Sequence, residues 1–230
     1  MTVTRHTPDR RTLTRRCFIS AGGTAAAALA LGSCTKEAAP PAAVAPADTR
    51  AADVSVQPPV ETLPRTEFLA WIETRAEFNM QRCHHCAQAA FLTLQEGFGL
   101  PGDKVFKALT PLPGIAERGE TCGAVTGSLL ALGLVFGSDL VGDATTWRAS
   151  LVPARNFCQR FAEELGSTQC GDLLEQHMGK RYNLADPRER AEFMAAQPGP
   201  EAVCGRVVKT AVRHAAAVIL ETRAAKSSKP

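Results

Sequence analysis

Residues 121–138, TCGAVTGSLLALGLVFGS, form an 18-residue run without a charged side chain, and how this run is read decides the fold. Its length approaches the roughly 20 apolar residues that a bilayer-spanning helix needs. Four glycines (Gly123, Gly127, Gly133 and Gly137) and polar flanks argue instead for a buried helix from Cys122 to about Phe136. Each glycine lowers helix stability by up to about 1 kcal/mol relative to alanine. A chain tolerates that where a second backbone or a cofactor must approach closely. Gly123 and Gly127 are four residues apart and share a face. That face is a helix-packing groove, within the chain or between the protomers of a homodimer, or else the wall of a site. A helix this apolar requires other helices around it.

Outward from this run the apolar spacing is helical almost throughout. Phe68, Leu69, Ile72 and Ala76 mark one helix, and Cys83, Cys86, Ala87, Ala90, Phe91 and Leu94 mark a second that Gly97 and Gly99 end. Val105, Phe106 and Leu109 form a short third, stopped by Pro111 and Pro113. Pro153 reads as the first residue of a helix striped by Phe157, Cys158, Phe161 and Leu165. Short elements follow over Cys170 to Met178 and Arg188 to Ala196. A last helix begins near Pro200 and carries Val207, Val208, Ala211, Ala215, Val218 and Ile219 on one face. Alternating strand patterns are absent. The sequence therefore predicts an all-α fold, a single multi-helix domain over residues 65–225 with a short tail at 226–230.

The region before this domain reads as an address and a tether. Residues 1–34 hold Arg5, Arg10, Arg11, Arg15 and Arg16 against Asp9. Arg15 and Arg16, followed by Cys17-Phe18-Ile19, have the form of a twin-arginine export signal. The apolar run after them is too short to span a bilayer, and Leu31-Gly32-Ser33-Cys34 resembles a lipobox, with Cys34 as the lipidated residue. Residues 35–64 are dominated by alanine, proline and valine and cannot bury a core. The expectation is an exported lipoprotein held on a membrane by its lipid, facing the periplasm or the cell exterior. Of 26 basic and 23 acidic residues, 21 and 22 lie beyond position 34, so the domain is near neutral. Such a domain offers no electrostatic footprint for nucleic acid.

Six cysteines remain after Cys34: Cys83, Cys86, Cys122, Cys158, Cys170 and Cys204. Cys122, with Thr121 as a candidate N-cap, Cys170 and Cys204 are expected in first helical turns, where partial positive charge favours a thiolate. Thiolate attacks disulfides and ligates metals. Cys83-His84-His85-Cys86 is a C-x-x-C that, read as continuous helix, puts both sulfurs on one face. His84 and His85 are possible additional ligands. Covalent c-type haem requires histidine directly after the second cysteine, and Ala87 stands there. Cys158, on an apolar stripe, reads as a core residue.

Cys86-Ala87-Gln88-Ala89, then Cys122-Gly123-Ala124-Val125-Thr126-Gly127, then Cys170-Gly171-Asp172-Leu173-Leu174, then Cys204 on a last helix, resemble the C-GCAxxG-C-C family of redox proteins. The resemblance spans roughly residues 66–222. It implies a helical domain whose characteristic cysteines are Cys86, Cys122, Cys170 and Cys204, and a similarity to the non-haem portion of split-Soret-type cytochromes. Two features depart from the pattern: Pro111-Leu112-Pro113-Gly114 replaces the usual glycine-rich stretch, and Cys83 and Cys158 are additional.

Three functions are consistent with these residues. One is an electron-transfer protein whose cysteines hold an iron–sulfur cluster or another thiophilic metal. Export in a folded state fits a chain that acquires a cofactor before translocation. The second is a metal-free thiol–disulfide protein exchanging through Cys83 and Cys86. The third is a lipoprotein stapled by three structural disulfides. A redox partner is implied by the first two. Phosphate loops and nucleophile-elbow serines are absent from the sequence, which argues against nucleotide and hydrolase chemistry.

Overall fold

The computed structural model describes residues 63–227. Arg15, Arg16, Cys34 and nearly all of the tether lie outside the described residues. Among the described residues the fold is all-α, with elements α1 (Arg65–Cys83), α2 (Cys86–Phe98), α3 (Asp103–Ala108), α4 (Gly114–Glu117), α5 (Gly123–Phe136), α6 (Ala144–Leu165), α7 (Cys170–Met178), α8 (Pro187–Ala195) and α9 (Pro200–Ser227). None of these helices is long and apolar enough to cross a membrane.

The last helix organises the core. Val207, Val208, Ala211, Ala215, Val218 and Ile219, the face read from the sequence, are buried, and Val212 and Ala216 widen the stripe. Helices α1, α2, α5 and α6 all pack against α9. Phe68, Ile72 and Ala76 of α1, Phe91 and Leu94 of α2, Val125 of α5, and Phe157 and Phe161 of α6 complete one continuous apolar cluster. Burying a phenylalanine or leucine of this kind contributes about 1.5–3 kcal/mol. Between α1 and α2, buried Asn79 donates to Thr93 Oγ1 (3.1 Å) and to Glu96 Oε2 (2.8 Å), while Arg75 Nε donates to the same carboxylate (2.6 Å).

Two sequence expectations about elements change. Pro153 lies inside α6, which begins nine residues earlier at Ala144, with Asp143 as its N-cap accepting from the Thr146 N–H at 3.0 Å. The C-x-x-C does not lie on one helix. His84 adopts φ 46°, ψ 30° as the left-handed C-cap of α1, and His85 is the extended N-cap of α2. Cys83 therefore closes one helix and Cys86 opens the next.

Candidate functional site

Three junctions deliver cysteines to one end of the bundle. Cys86 is the first residue of α2, Cys122 is the N-cap of α5, and Cys170 is the first residue of α7. Cys204 comes from the second turn of α9 rather than its first. A short antiparallel contact aligns two of the helix starts. Thr121 and Gln169 form an isolated β-bridge. Around it the Cys122 N–H donates to Thr168 O (2.9 Å), the Cys170 N–H to Glu120 O (2.7 Å) and the Gly171 N–H to Gly119 O (2.9 Å). The sequence carried no signal for this pairing, because a single bridge has no alternation to read.

Glycines let the sulfurs approach. A Cβ at Gly123 would stand 2.4 Å from Cys86 Sγ, and a Cβ at Gly114 would stand 3.3 Å from Cys170 Sγ. Gly127 serves the packing of α5 on α2, since a Cβ there would stand 2.2 Å from the Ala87 carbonyl oxygen. The shared glycine face is thus both a packing groove and a site wall. Both roles are filled within the one chain.

The thiols of Cys122, Cys170 and Cys204 feel neighbouring cysteines. Cys122 and Cys86 are in side-chain hydrogen-bond contact, and this contact, followed by complete burial, pushes the Cys122 thiol well above its ordinary value. The N–H groups of Ala124 and Val125, at the start of α5, pull in the opposite direction and lose. Burial, then the neighbouring Cys122, then the Glu117 carboxylate push Cys170 up to about 12. Burial, Cys122 and Cys170 push Cys204 up to about 12. The expectation that helix starts would favour thiolate is reversed for these three: desolvation and crowding outweigh the helix ends. No disulfide joins any of the six described cysteines.

The remaining candidates lie elsewhere. Cys83 is half-buried, raised by desolvation, and feels Arg82 and Glu96 rather than the quartet. Cys158 is raised by burial alone and packs at the edge of the core. His84 Nδ1 pairs with Glu201 at 3.0 Å on the surface. The Gln88 N–H donates to His85 Nδ1 (3.2 Å), leaving Nε2 to donate to Thr110 O (3.0 Å), so the His85 ring caps α2 and ties it to the loop before α4. Among the described residues, no group of three or more His, Cys, Asp or Glu side chains is placed to hold a metal ion.

One feature beside the site was not legible in the sequence. Where Pro111-Leu112-Pro113-Gly114 departs from the family pattern, Gly114, Ile115, Ala116 and Glu117 all have positive φ (52°, 50°, 57° and 62°). Left-handed backbone is costly for a β-branched residue such as Ile115. It is held by the Ala116 and Glu117 N–H groups, which donate to Pro111 O and Pro113 O at 2.8 Å each.

Comparison with known proteins agrees with the geometry. Residues 84–218 match the family model described as "Putative redox-active protein (C_GCAxxG_C_C)". The chain belongs to this family of redox-active proteins. Cys83 falls just before the matched stretch. No curated protein and no solved structure matches the chain.

Proposed function

We propose that Cys86, Cys122, Cys170 and Cys204 form an electron-transfer centre that holds an iron–sulfur cluster, in a domain exported by the twin-arginine signal at Arg15 and Arg16 and anchored through Cys34. The observation that carries this reading is the convergence of all four thiols, from four different helices, with Cys122 coupled to the other three. A single tetrahedral ion about 2.3 Å from each sulfur would need the sulfurs roughly 3.8 Å apart. The side chains are not gathered for that. A cluster with more than one iron spreads four thiolate ligands wider than a single ion does. Among the described residues, no cation figures among the groups that shift Cys122, Cys170 or Cys204, so a bound metal centre is what would stabilise thiolates there. When bound, such a cluster supplies one-electron transfer. The chain's own contribution is the buried Cys122, the half-buried Cys86, Cys170 and Cys204, and the glycine clearances around them.

The test is anaerobic purification of the full chain, followed by its visible spectrum and its iron and sulfide content. Broad visible absorbance with iron and sulfide, lost in Cys122→Ser, is the expected result. A colourless chain with a mapped Cys86–Cys122 disulfide would overturn it in favour of metal-free thiol–disulfide exchange. The direct contact between those two thiols favours that second reading over an exchange through Cys83 and Cys86.

A further inference from the structure

We propose that the turn between α5 and α6 rests on a lipid surface through Leu140, Val141 and Trp147, with the cysteine end of the bundle facing water. The inference rests on the anchoring reading above and adds an orientation to it. Leu140 is 74% exposed, Val141 is fully exposed and Trp147 is 59% exposed. The turn that carries them is fixed. Ser138 Oγ donates to Asp143 Oδ2 (2.9 Å), the Leu140 N–H donates to Ser138 Oγ (3.1 Å), and Asp143 caps α6. Leu140 and Trp147 line one shallow hollow with Gly142 and Ser150. Large apolar side chains projected together from a fixed turn mark an interaction site, and tryptophan favours the level of lipid headgroups.

What selects lipid as the occupant is where the chain enters the domain. Arg65 pairs with Glu221 (2.5 Å), and Phe68 meets Phe98 edge-on (5.2 Å between centroids). Arg223 lies over Phe98 (5.3 Å) and Lys226 over Phe136 (5.4 Å). These contacts bring the start of α1 together with the ends of α2, α5 and α9. The apolar turn follows Phe136 directly. Helix α6 runs antiparallel to α9, with Glu164 against His214 (2.8 Å) and Arg160 against Glu221 (2.7 Å), so its first turns, with Trp147, reach the same end. The tether therefore joins the domain at the end that carries the apolar turn. Only 28 residues, 35–62, separate Cys34 from Leu63, and no chain of that length reaches beyond about 100 Å. Cys122 caps the opposite end of α5, about 20 Å along the helix axis from Phe136.

The turn is too small to hold the domain by itself. A lipid on Cys34 raises the local concentration of bilayer around it, so a weak contact is occupied without added affinity. The charges at this end nearly cancel: Asp139 and Asp143 stand against Arg148 of α6 and Arg223 and Lys226 of α9. The contact is thus apolar and depends little on salt. Whatever exchanges with the cysteines then reaches them from water rather than from within the bilayer.

The experiment places the full, lipid-bearing chain on vesicles of phosphatidylethanolamine and phosphatidylglycerol, with and without brominated acyl chains, and reads tryptophan fluorescence. Trp71, stacked on Phe68, is the other tryptophan, and its share is taken from Trp147→Phe. Trp147 emission should shift to the blue and be quenched by the bromines at low and high salt alike. Leu140→Asp combined with Val141→Asp should cut the quenching several-fold while the chain stays on the vesicles through Cys34. Both positions are exposed, so the fold tolerates the change. Trp147 emission in the anchored chain equal to that of the vesicle-free Cys34→Ser chain would overturn the inference and leave the anchor intact. A Cys34→Ser chain that sediments as a dimer, and as a monomer once Leu140→Asp and Val141→Asp are added, would also overturn it and assign the turn to a second copy. A parent chain without lipid on Cys34 would overturn the inference and the anchoring reading together.

Discussion

Alanine at position 127 and alanine at position 133 are the same chemical change on the same helix, and they should act in opposite directions. At Gly127 the new Cβ meets the Ala87 carbonyl at 2.2 Å and the Phe91 nitrogen at 3.2 Å, both backbone atoms that cannot yield separately. Gly127→Ala should destabilise the chain by about 1–3 kcal/mol in a denaturant titration, the usual range for overpacking. At Gly133 nothing lies within 4 Å of the added carbon, so Gly133→Ala should stabilise by up to about 1 kcal/mol through helix propensity. The thiols supply a second residue-scale expectation. Cys170 and Cys204 sit near 12 when folded, against about 8.5 when exposed, so the unfolded chain releases protons first as pH rises. Their contribution is complete below about pH 8.5 and is lost as pH climbs toward 12. For the metal-free chain, the denaturant midpoint should fall between pH 8 and pH 10, and Cys170→Ser with Cys204→Ser should flatten that fall. At this scale the sequence carried the spacing of the four motif cysteines. It was silent on protonation, because burial and crowding belong to the assembled molecule.

Helix starts are where the sequence and the structure part. Pro153 is a good first residue in principle, and that preference hid the stronger signal at Asp143, whose carboxylate accepts from the Thr146 N–H and from Ser138 Oγ. These bonds lower the Asp143 carboxyl to about 2. Asp143→Ala should lower the melting temperature at neutral pH. The difference from the parent should fade as pH falls from about 4 toward 2, where protonation removes the cap in both chains. The break between α1 and α2 was hidden for another reason. His84 takes a left-handed conformation without being glycine or asparagine, so nothing in the local sequence marks it. That break moves Cys83 off the helix that carries Cys86 and leaves it beside Arg82 and Glu96. Helical periodicity, by contrast, was legible wherever a long apolar stripe existed, as α9 shows.

On the scale of the whole molecule, the described domain is one helical pack around α9, and it offers no membrane-spanning helix among the described residues. If Cys34 carries the lipid, Cys34→Ser should move the exported protein from the membrane to the soluble fraction at unchanged abundance. Retention of the variant on membranes would sink the anchoring proposal. If Arg15 and Arg16 direct export of the folded chain, replacing both by lysine should abolish it, measured as the fraction reaching the far side of the membrane. The quartet itself draws on residues 86, 122, 170 and 204, and that spacing has a consequence during synthesis. A ribosome adding 5–20 residues per second takes on the order of ten seconds to travel from the first of these thiols to the last. During that interval the nascent chain holds an incomplete set of sulfurs and, on the helices already made, an apolar face that packs against α9 in the folded domain. Gathering of the four cysteines and closure of the core therefore both wait for the C-terminal helix, which carries Cys204. A chain truncated before α9 lacks both Cys204 and the helix against which α1, α2, α5 and α6 pack.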